Sequence, residues 1–372
     1  MDRRHFLLQT SASLVVALSN TDAYQVTAVV DARSQIERLM MRLHEQRLFT
    51  GEILVAENGH AVYQGAFGAA DPRTGQPYTI NTRSCLASLS KPITAVATMM
   101  LAEQRLLRYD DPLATFLPGF NDAVGAVTLR HLLTHTSGIP DYPTLNVDRP
   151  GVTNAEILAA LRRLQSPSFA PGQKYAYSNS GYVLLALVIE TVSGEPLPRY
   201  LAARIFEPLG MSATFVLTSP DQKTADVARG YDRSGRADDF EGMATGESGV
   251  YSTVTDLLRF DQALYTDALV SRRTLDEAFV PARVREGSTS YGFGWNIVSD
   301  ASGMRVWHQG NTAGFRAFIE RRLRDRIAVI MLTNGGDTDR MAINDSIQRI
   351  LQREPAQVAP IAPETIRKRS AR

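Results

Sequence analysis

GEILVAENGHAVYQGAFGAA, residues 51–70, is the stretch from which the architecture can be read. Two β-rich runs flank Asn58-Gly59, a pair suited to the left-handed backbone of a type I′ turn, so the segment predicts a β-hairpin. The same style recurs near the other end of the chain. FRAFIERRLRDRIAVIML, residues 315–332, reads as two strands joined near Arg324-Asp325, and Gly292 to Gly310 is similar in composition. Hairpins at both ends imply one antiparallel sheet assembled from the two ends of the chain. Residues 34–48 carry Ile36, Leu39, Met40 and Leu43 on one helical face, and 338–352 is helical by the same pattern. The expected class is therefore α/β of the α+β type, an antiparallel sheet flanked by helices.

The middle of the chain reads differently. SLSKPITAVATMMLAEQRL, residues 88–106, is an apolar helical run. Thr153-x-x-Glu156 is a capping box, Thr253-x-x-Asp256 opens another helix over Leu257 to Leu264, and 180–193 is helical with Gly194 as its C-cap. The expected organisation is a discontinuous α/β domain, 24–109 and 286–353, interrupted by a mainly helical insertion over 110–285. A cleft between such units is where a small ligand usually binds.

The chain has 372 residues, 44% apolar and 21% charged, which excludes disordered, collagen-like and coiled-coil proteins. Forty basic against 39 acidic residues give a formal charge of +1, against a nucleic-acid partner. With one cysteine, Cys85, neither an intramolecular disulfide nor a cysteine-rich zinc site is possible. No apolar run approaches the roughly 20 residues of a stable membrane span. Residues 1–23 combine Arg3-Arg4, a short apolar stretch and small residues. They read as a twin-arginine-like signal peptide and imply a periplasmic or secreted protein. Residues 354–372, with Pro355, Pro360 and Pro363, read as a flexible tail.

The chemistry centres on Ser88-Leu89-Ser90-Lys91. Serine and lysine three residues apart at the start of a helix share a face, so the amine can reach the hydroxyl. Serine is a poor nucleophile until a nearby base takes its proton. Such a tetrapeptide also arises by chance, but Ser88 sits where a strand-rich segment turns into an apolar helix. Downstream, Tyr177 offers a second base, and Asn179 can orient the lysine and a substrate amide; the bland roles are a helix-start aromatic and an N-cap. Trp307-His308-Gln309-Gly310-Asn311 falls on a predicted strand, read as an edge strand and substrate-binding wall. There the glycine would admit the substrate, and the next backbone N–H could face an oxyanion.

Ser88-x-x-Lys91, Tyr177-x-Asn179 and His308-x-Gly310, in that order, resemble the three motifs of the class C β-lactamase and penicillin-binding-protein superfamily. LRHLLTHTSGIPDY (129–142), YSNSGYVLLALVIETVSG (177–194) and ESGVYSTVTDLLRF (247–260) extend the likeness. The resemblance implies a β-lactamase/DD-peptidase-like fold with an all-helical inserted domain. It also implies a serine hydrolase that forms an acyl-enzyme on Ser88, with Lys91 and Tyr177 as the general base pair. Asn179, His308, Gly310 and Asn311 would bind substrate, and the N–H groups of Ser88 and Asn311 would form the oxyanion hole. The substrate would be a small molecule or peptide, and no metal or organic cofactor is implied. Where true β-lactamases usually carry Lys-Thr-Gly, this chain has His308-Gln309-Gly310. A histidine is mostly neutral at pH 7, which favours esters or D-residue peptides over β-lactams. It also predicts that turnover of carboxylate-bearing substrates falls between about pH 6 and 8 as His308 loses its proton. The alternatives are a class C-type β-lactamase proper and a penicillin-recognising sensor without turnover; the intact Tyr177-x-Asn179 speaks against the sensor.

His131 and His135, four apart, are read as structural, because no H-E-x-x-H pattern accompanies them, with His135 supporting the loop at 137–140. Cys85 is read as a buried, inert thiol.

Overall fold

A computed structural model describes residues 20–224, 226–232, 234–239, 242–282 and 290–352, with the backbone alone over 20–30. Residues 1–19 of the leader reading over 1–23, and the tail reading over 354–372, lie outside the described residues. Asn20 already belongs to a helix, Asn20–Glu45.

The main sheet has seven strands, all antiparallel, in the order His60–Phe67, Gly51–Glu57, Ile327–Thr333, Phe315–Arg322, Gly303–Thr312, Asn296–Asp300, Ser290–Tyr291. The hairpin predicted at Asn58-Gly59 is present: Glu57 pairs with His60, and both turn residues have positive φ. A second tight hairpin joins Arg322 to Ile327. The early hairpin docks on the late strands, Gly51 opposite Thr333 through Glu57 opposite Ile327.

Alternation along these strands divides the core. Ile53, Val55, Phe318, Val329 and Met331 face one way and pack on Ile36, Met40, Leu43, Ile343 and Ile347 of the two terminal helices, Asn20–Glu45 and Arg340–Leu351. Leu54, Ala56, Ile319, Ile330 and Leu332 face the other way, into a larger cluster shared with the helices Lys91–Glu103, Asn179–Ser193 and Val254–Ala263. Removing one such buried Leu or Ile would cost about 2–5 kcal/mol. Helices thus cover both faces of the sheet. Between 110 and 282 the described residues hold helices separated by long irregular segments, and also the short strands Phe215–Val216 and Val250–Ser252. These join Ser84–Cys85 in a three-stranded sheet that carries the chain to the site. The capping box of Thr153 and Glu156 forms in both directions, and Gly194 closes its helix at φ 70°.

Candidate active site

The strand Ser84–Cys85 is pinned to Val250–Ser252, and the Leu86 N–H donates to the Val250 carbonyl at 2.9 Å. The chain then bends sharply. Ala87 adopts φ 47°, in the left-handed region that costs a Cβ-bearing residue roughly 1–2 kcal/mol. One turn of 3₁₀ helix, Ala87–Ser90, leads into the α-helix Lys91–Glu103. The bend leaves Ser88 half-buried at the wall of a cavity of about 600 Å³ and sends the Lys91 side chain inward, fully buried. Strained backbone beside a reactive side chain persists only where its surroundings over-determine it. Here the paired strand holds one side and the buried helix the other.

Lys91 Nζ is the hub. It donates to Ser88 Oγ at 3.0 Å, Asn179 Oδ1 at 2.8 Å and the Glu247 carbonyl at 3.0 Å, and the Glu247 carboxylate lies 3.3 Å away. The Tyr177 and Tyr182 rings stand 4.9 and 5.6 Å from the nitrogen. The predicted group of Ser88, Lys91, Tyr177 and Asn179 is therefore brought together, with Tyr177 39% exposed and Lys91 beneath it.

Asn179 is aimed by a residue that sequence reasoning missed. Asp141 accepts its side-chain N–H at 3.1 Å and its backbone N–H at 2.6 Å, plus that of Ser180 at 3.2 Å. Asp141 thus satisfies the first turn of the helix Asn179–Ser193, whose N-cap Ser178 makes no side-chain cap. Burial raises the Asp141 pKa, against the pull of those N–H donors. Glu247 is the second missed residue. Its other carboxylate oxygen accepts from Ser248 Oγ at 2.6 Å and from the Tyr142 hydroxyl at 3.5 Å. Both segments lie within the stretches whose likeness is noted above, but nothing local marks these side chains as neighbours of Lys91.

Three readings of the 307–311 segment need correction. First, Gly303–Thr312 is an interior strand, not an edge. Its partner Asn296–Asp300 reaches only to Trp307, so from His308 onward that flank is open, and the turn at Leu86–Ala87 packs there. Second, Gly310 admits this turn rather than a substrate: a Cβ on it would meet the Leu86 carbonyl oxygen at 1.9 Å and the Ala87 Cβ at 3.1 Å. Third, His308 does not face the cavity. It is 2% exposed, its Nδ1 donates to the Gln309 carbonyl at 2.8 Å, and its Nε2 accepts from the Tyr291 hydroxyl at 3.0 Å. Burial, and then the charge of Lys91, push its pKa down to about 3. A neutral imidazole with both nitrogens satisfied cannot pair with a substrate carboxylate. The expected fall in turnover between pH 6 and 8 loses its basis.

Asn311 does line the cavity, but its side-chain Oδ1 accepts from Arg340 at 2.7 Å. Arg340, also missed, donates to the Gly310 carbonyl at 2.7 Å and the Ala317 carbonyl at 2.9 Å, bracing the strand from the C-terminal helix. His135 braces the other wall: its Nδ1 accepts the Ser178 N–H at 3.2 Å, and its ring lies 4.3 Å from that of Tyr177. His131 is engaged apart from it, with Thr128. Cys85 is buried, and burial pushes its thiol up to about 12, far from a reactive thiolate.

A serine held by a buried lysine at a helix start, beside a tyrosine and an oriented asparagine, is the constellation of a serine hydrolase. Residues 28–353 match the family described as Beta-lactamase, and the chain belongs to that family. A penicillin-binding protein of Bacillus subtilis (strain 168) is 35% identical over 353 residues, covering 88% of this chain and 77% of that one. Esterase EstB of Burkholderia gladioli is 30% identical over 381 residues, covering 87% and 94%. Among solved structures, the octameric penicillin-binding protein homologue from Pyrococcus abyssi superposes with a TM-score of 0.78 at 28% identity, covering 86% of this chain and 77% of that one.

Proposed function

We propose that this protein is an exported serine hydrolase that cleaves an ester or amide through an acyl-enzyme on Ser88. The observation that carries the reading is the 3.0 Å contact between Lys91 Nζ and Ser88 Oγ at the cavity wall. In this reading Ser88 Oγ attacks the substrate carbonyl while its proton passes to the base pair of Lys91 and Tyr177. The carbonyl oxygen is received by the backbone N–H groups of Ser88 and Asn311. The leaving group is protonated by the same pair, and water activated there releases the acyl group. Asn179, fixed by Asp141, orients Lys91 and the substrate.

The favoured substrates are esters and D-residue peptides, with β-lactams turned over weakly. Neutral His308 gives no charged partner for a drug carboxylate, which weighs against a β-lactamase proper. Export, to the periplasm or outside, rests on the leader-like residues 1–23. Ser88→Ala should lower turnover by about 10³-fold or more and abolish labelling by a fluorophosphonate. Rates on a p-nitrophenyl ester, nitrocefin and a D-Ala-D-Ala peptide should rank in favour of the first or the last. Labelling that persists in Ser88→Ala would refute the nucleophile, and nitrocefin as the best substrate would refute the substrate class.

A further inference from the structure

We propose that Arg340 is a positioning residue for the oxyanion: it clamps the peptide between Gly310 and Asn311 so that the Asn311 N–H meets the charge developing beside Ser88. The inference rests on the reading in which the N–H groups of Ser88 and Asn311 receive the substrate oxygen, and it names what holds the second of them.

The argument begins with the direction of one peptide. Arg340 opens the helix Arg340–Leu351, which packs on the sheet face opposite the one that Leu86 joins. Its Nη1 donates to the Gly310 carbonyl at 2.7 Å and to the carbonyl of the cross-strand partner, Ala317, at 2.9 Å. Two opposed carbonyls can meet one nitrogen only where both point into the gap between their strands, as in the hydrogen-bonded type of antiparallel pair. A planar trans peptide sends its C=O and its N–H in opposite directions. With the Gly310 carbonyl turned to Ala317, the Asn311 N–H is turned to the other flank. There the neighbouring strand Asn296–Asp300 has already ended, opposite Trp307. The turn Leu86–Ala87 packs at this end of the strand, and Ser88 and Asn311 line the cavity together.

The charge of Arg340 adds to its grip. It is 8% exposed, and the four acceptors it meets among the described residues are all neutral: the two carbonyls, Asn311 Oδ1 at 2.7 Å and Gln309 Oε1 at 3.5 Å. Burying a guanidinium without a counter-charge is costly. Here its field falls on a carbonyl whose peptide carries the oxyanion donor. A cation at the oxygen end of a peptide polarises the group and makes its N–H a stronger donor. The fork shape lets one side chain hold Asn311 by backbone and side chain at once. Across the sheet, Gly310 lies against the Leu86 carbonyl, so the clamped peptide has no room to tilt towards the Ser88 turn.

The test compares p-nitrophenyl acetate with its thiono analogue, in which sulfur replaces the carbonyl oxygen, on the full chain and on Arg340→Met, Arg340→Gln and Arg340→Lys. Sulfur accepts hydrogen bonds weakly, so the thionoester draws little from the two N–H donors. General damage to Ser88 or its base slows both substrates alike. Losing an oxyanion donor outright costs about 10²–10³ in kcat, and a donor misaimed and less polarised should cost about tenfold or more. In Arg340→Met and Arg340→Gln, kcat/KM on the oxoester should fall by about that factor, and the ratio of oxoester to thionoester kcat/KM should fall with it. Arg340→Lys keeps the cation and should recover most of the ratio. Arg340→Gln can still donate to one carbonyl and carries the same expectation should Arg340→Met not fold. Equal slowing of both substrates, or an unchanged ratio, would overturn the proposal and leave Arg340 a tie between helix and sheet. The unaltered protein separates the two levels. If it prefers the oxoester no more than free hydroxide does, the oxyanion reading itself fails. If it has that preference and the Arg340 variants keep it, only the role of Arg340 fails.

Discussion

A methyl group on Gly310 would stand 1.9 Å from the carbonyl oxygen of Leu86, closer than any real contact permits. The strand carrying Asn311 and the turn carrying Ser88 are therefore packed backbone to backbone. Gly310→Ala should push them apart by an ångström or so. A displacement of that size costs about 10²-fold in rate, so kcat/KM on a neutral ester should fall by about that factor, with a lower Tm. Wild-type activity at an unchanged Tm would mean that the two segments separate without disturbing Ser88.

Lys91 and Tyr177 should act as one unit. Lys91→Ala and Tyr177→Phe are each expected to slow acylation by about 10²–10⁴-fold. The double variant should be little slower than the worse single. Pre-steady-state bursts with a p-nitrophenyl ester measure this directly, and fully additive losses would leave one of the two with a structural role only.

His308 predicts a pH dependence of stability instead of turnover. Its folded pKa lies near 3, below the value of about 6.5 in the unfolded chain. Below pH 6.5 the unfolded state therefore binds the extra proton, and stability declines as pH falls from about 6.5 towards 3. The slope approaches about 1.4 kcal/mol per pH unit for this one group. His135, also lowered by burial, adds to the effect. His308→Gln should flatten the fall of Tm between pH 6.5 and 4.5 relative to wild type. Anionic and neutral substrates should show parallel kcat/KM between pH 6 and 8; a divergence there would return His308 to the substrate wall.

Glu52 gives the opposite sign. It is fully buried in the strand Gly51–Glu57, with little beyond a Val254 backbone N–H to offset the burial of its carboxyl. Burial raises its pKa well above the usual range, so the folded protein keeps a proton that the unfolded chain gives up above about pH 4.3. Its contribution to stability is then lost as pH rises. Glu52→Gln should raise the stability at pH 8 by on the order of 1–3 kcal/mol, seen as a higher Tm, and change little at pH 4. Equal Tm values at pH 8 would show the carboxylate to be solvated after all.

What could be read from the sequence was what short spacing encodes. The hairpin at Asn58-Gly59, the helix caps at Thr153 and Gly194, and the reach of Lys91 to Ser88 all lie within a few residues of their partners. Asp141, Glu247 and Arg340 were not legible, because each acts on a residue dozens of positions away or more and carries no local mark. His308 was misread for a different reason. Motif order gives its position but not its depth, although Val306, His308 and Gly310 share one face of their strand. Val306 is fully buried, and Gly310 lies against backbone. Alternation alone places the imidazole inside.

The pairing of Gly51 with Thr333 also has a consequence for synthesis. A ribosome delivers the first hairpin long before the strand that covers its inner edge. Until Ile327–Thr333 emerges, the run Ile53-Leu54-Val55 has neither its neighbour nor most of the helix-packed core, and such late, non-local closure is slow. Chains stopped before residue 327 should accumulate as insoluble material, not as a partly active enzyme. The turn that carries Ser88 meets the strand that carries Asn311 only once the last strands are made.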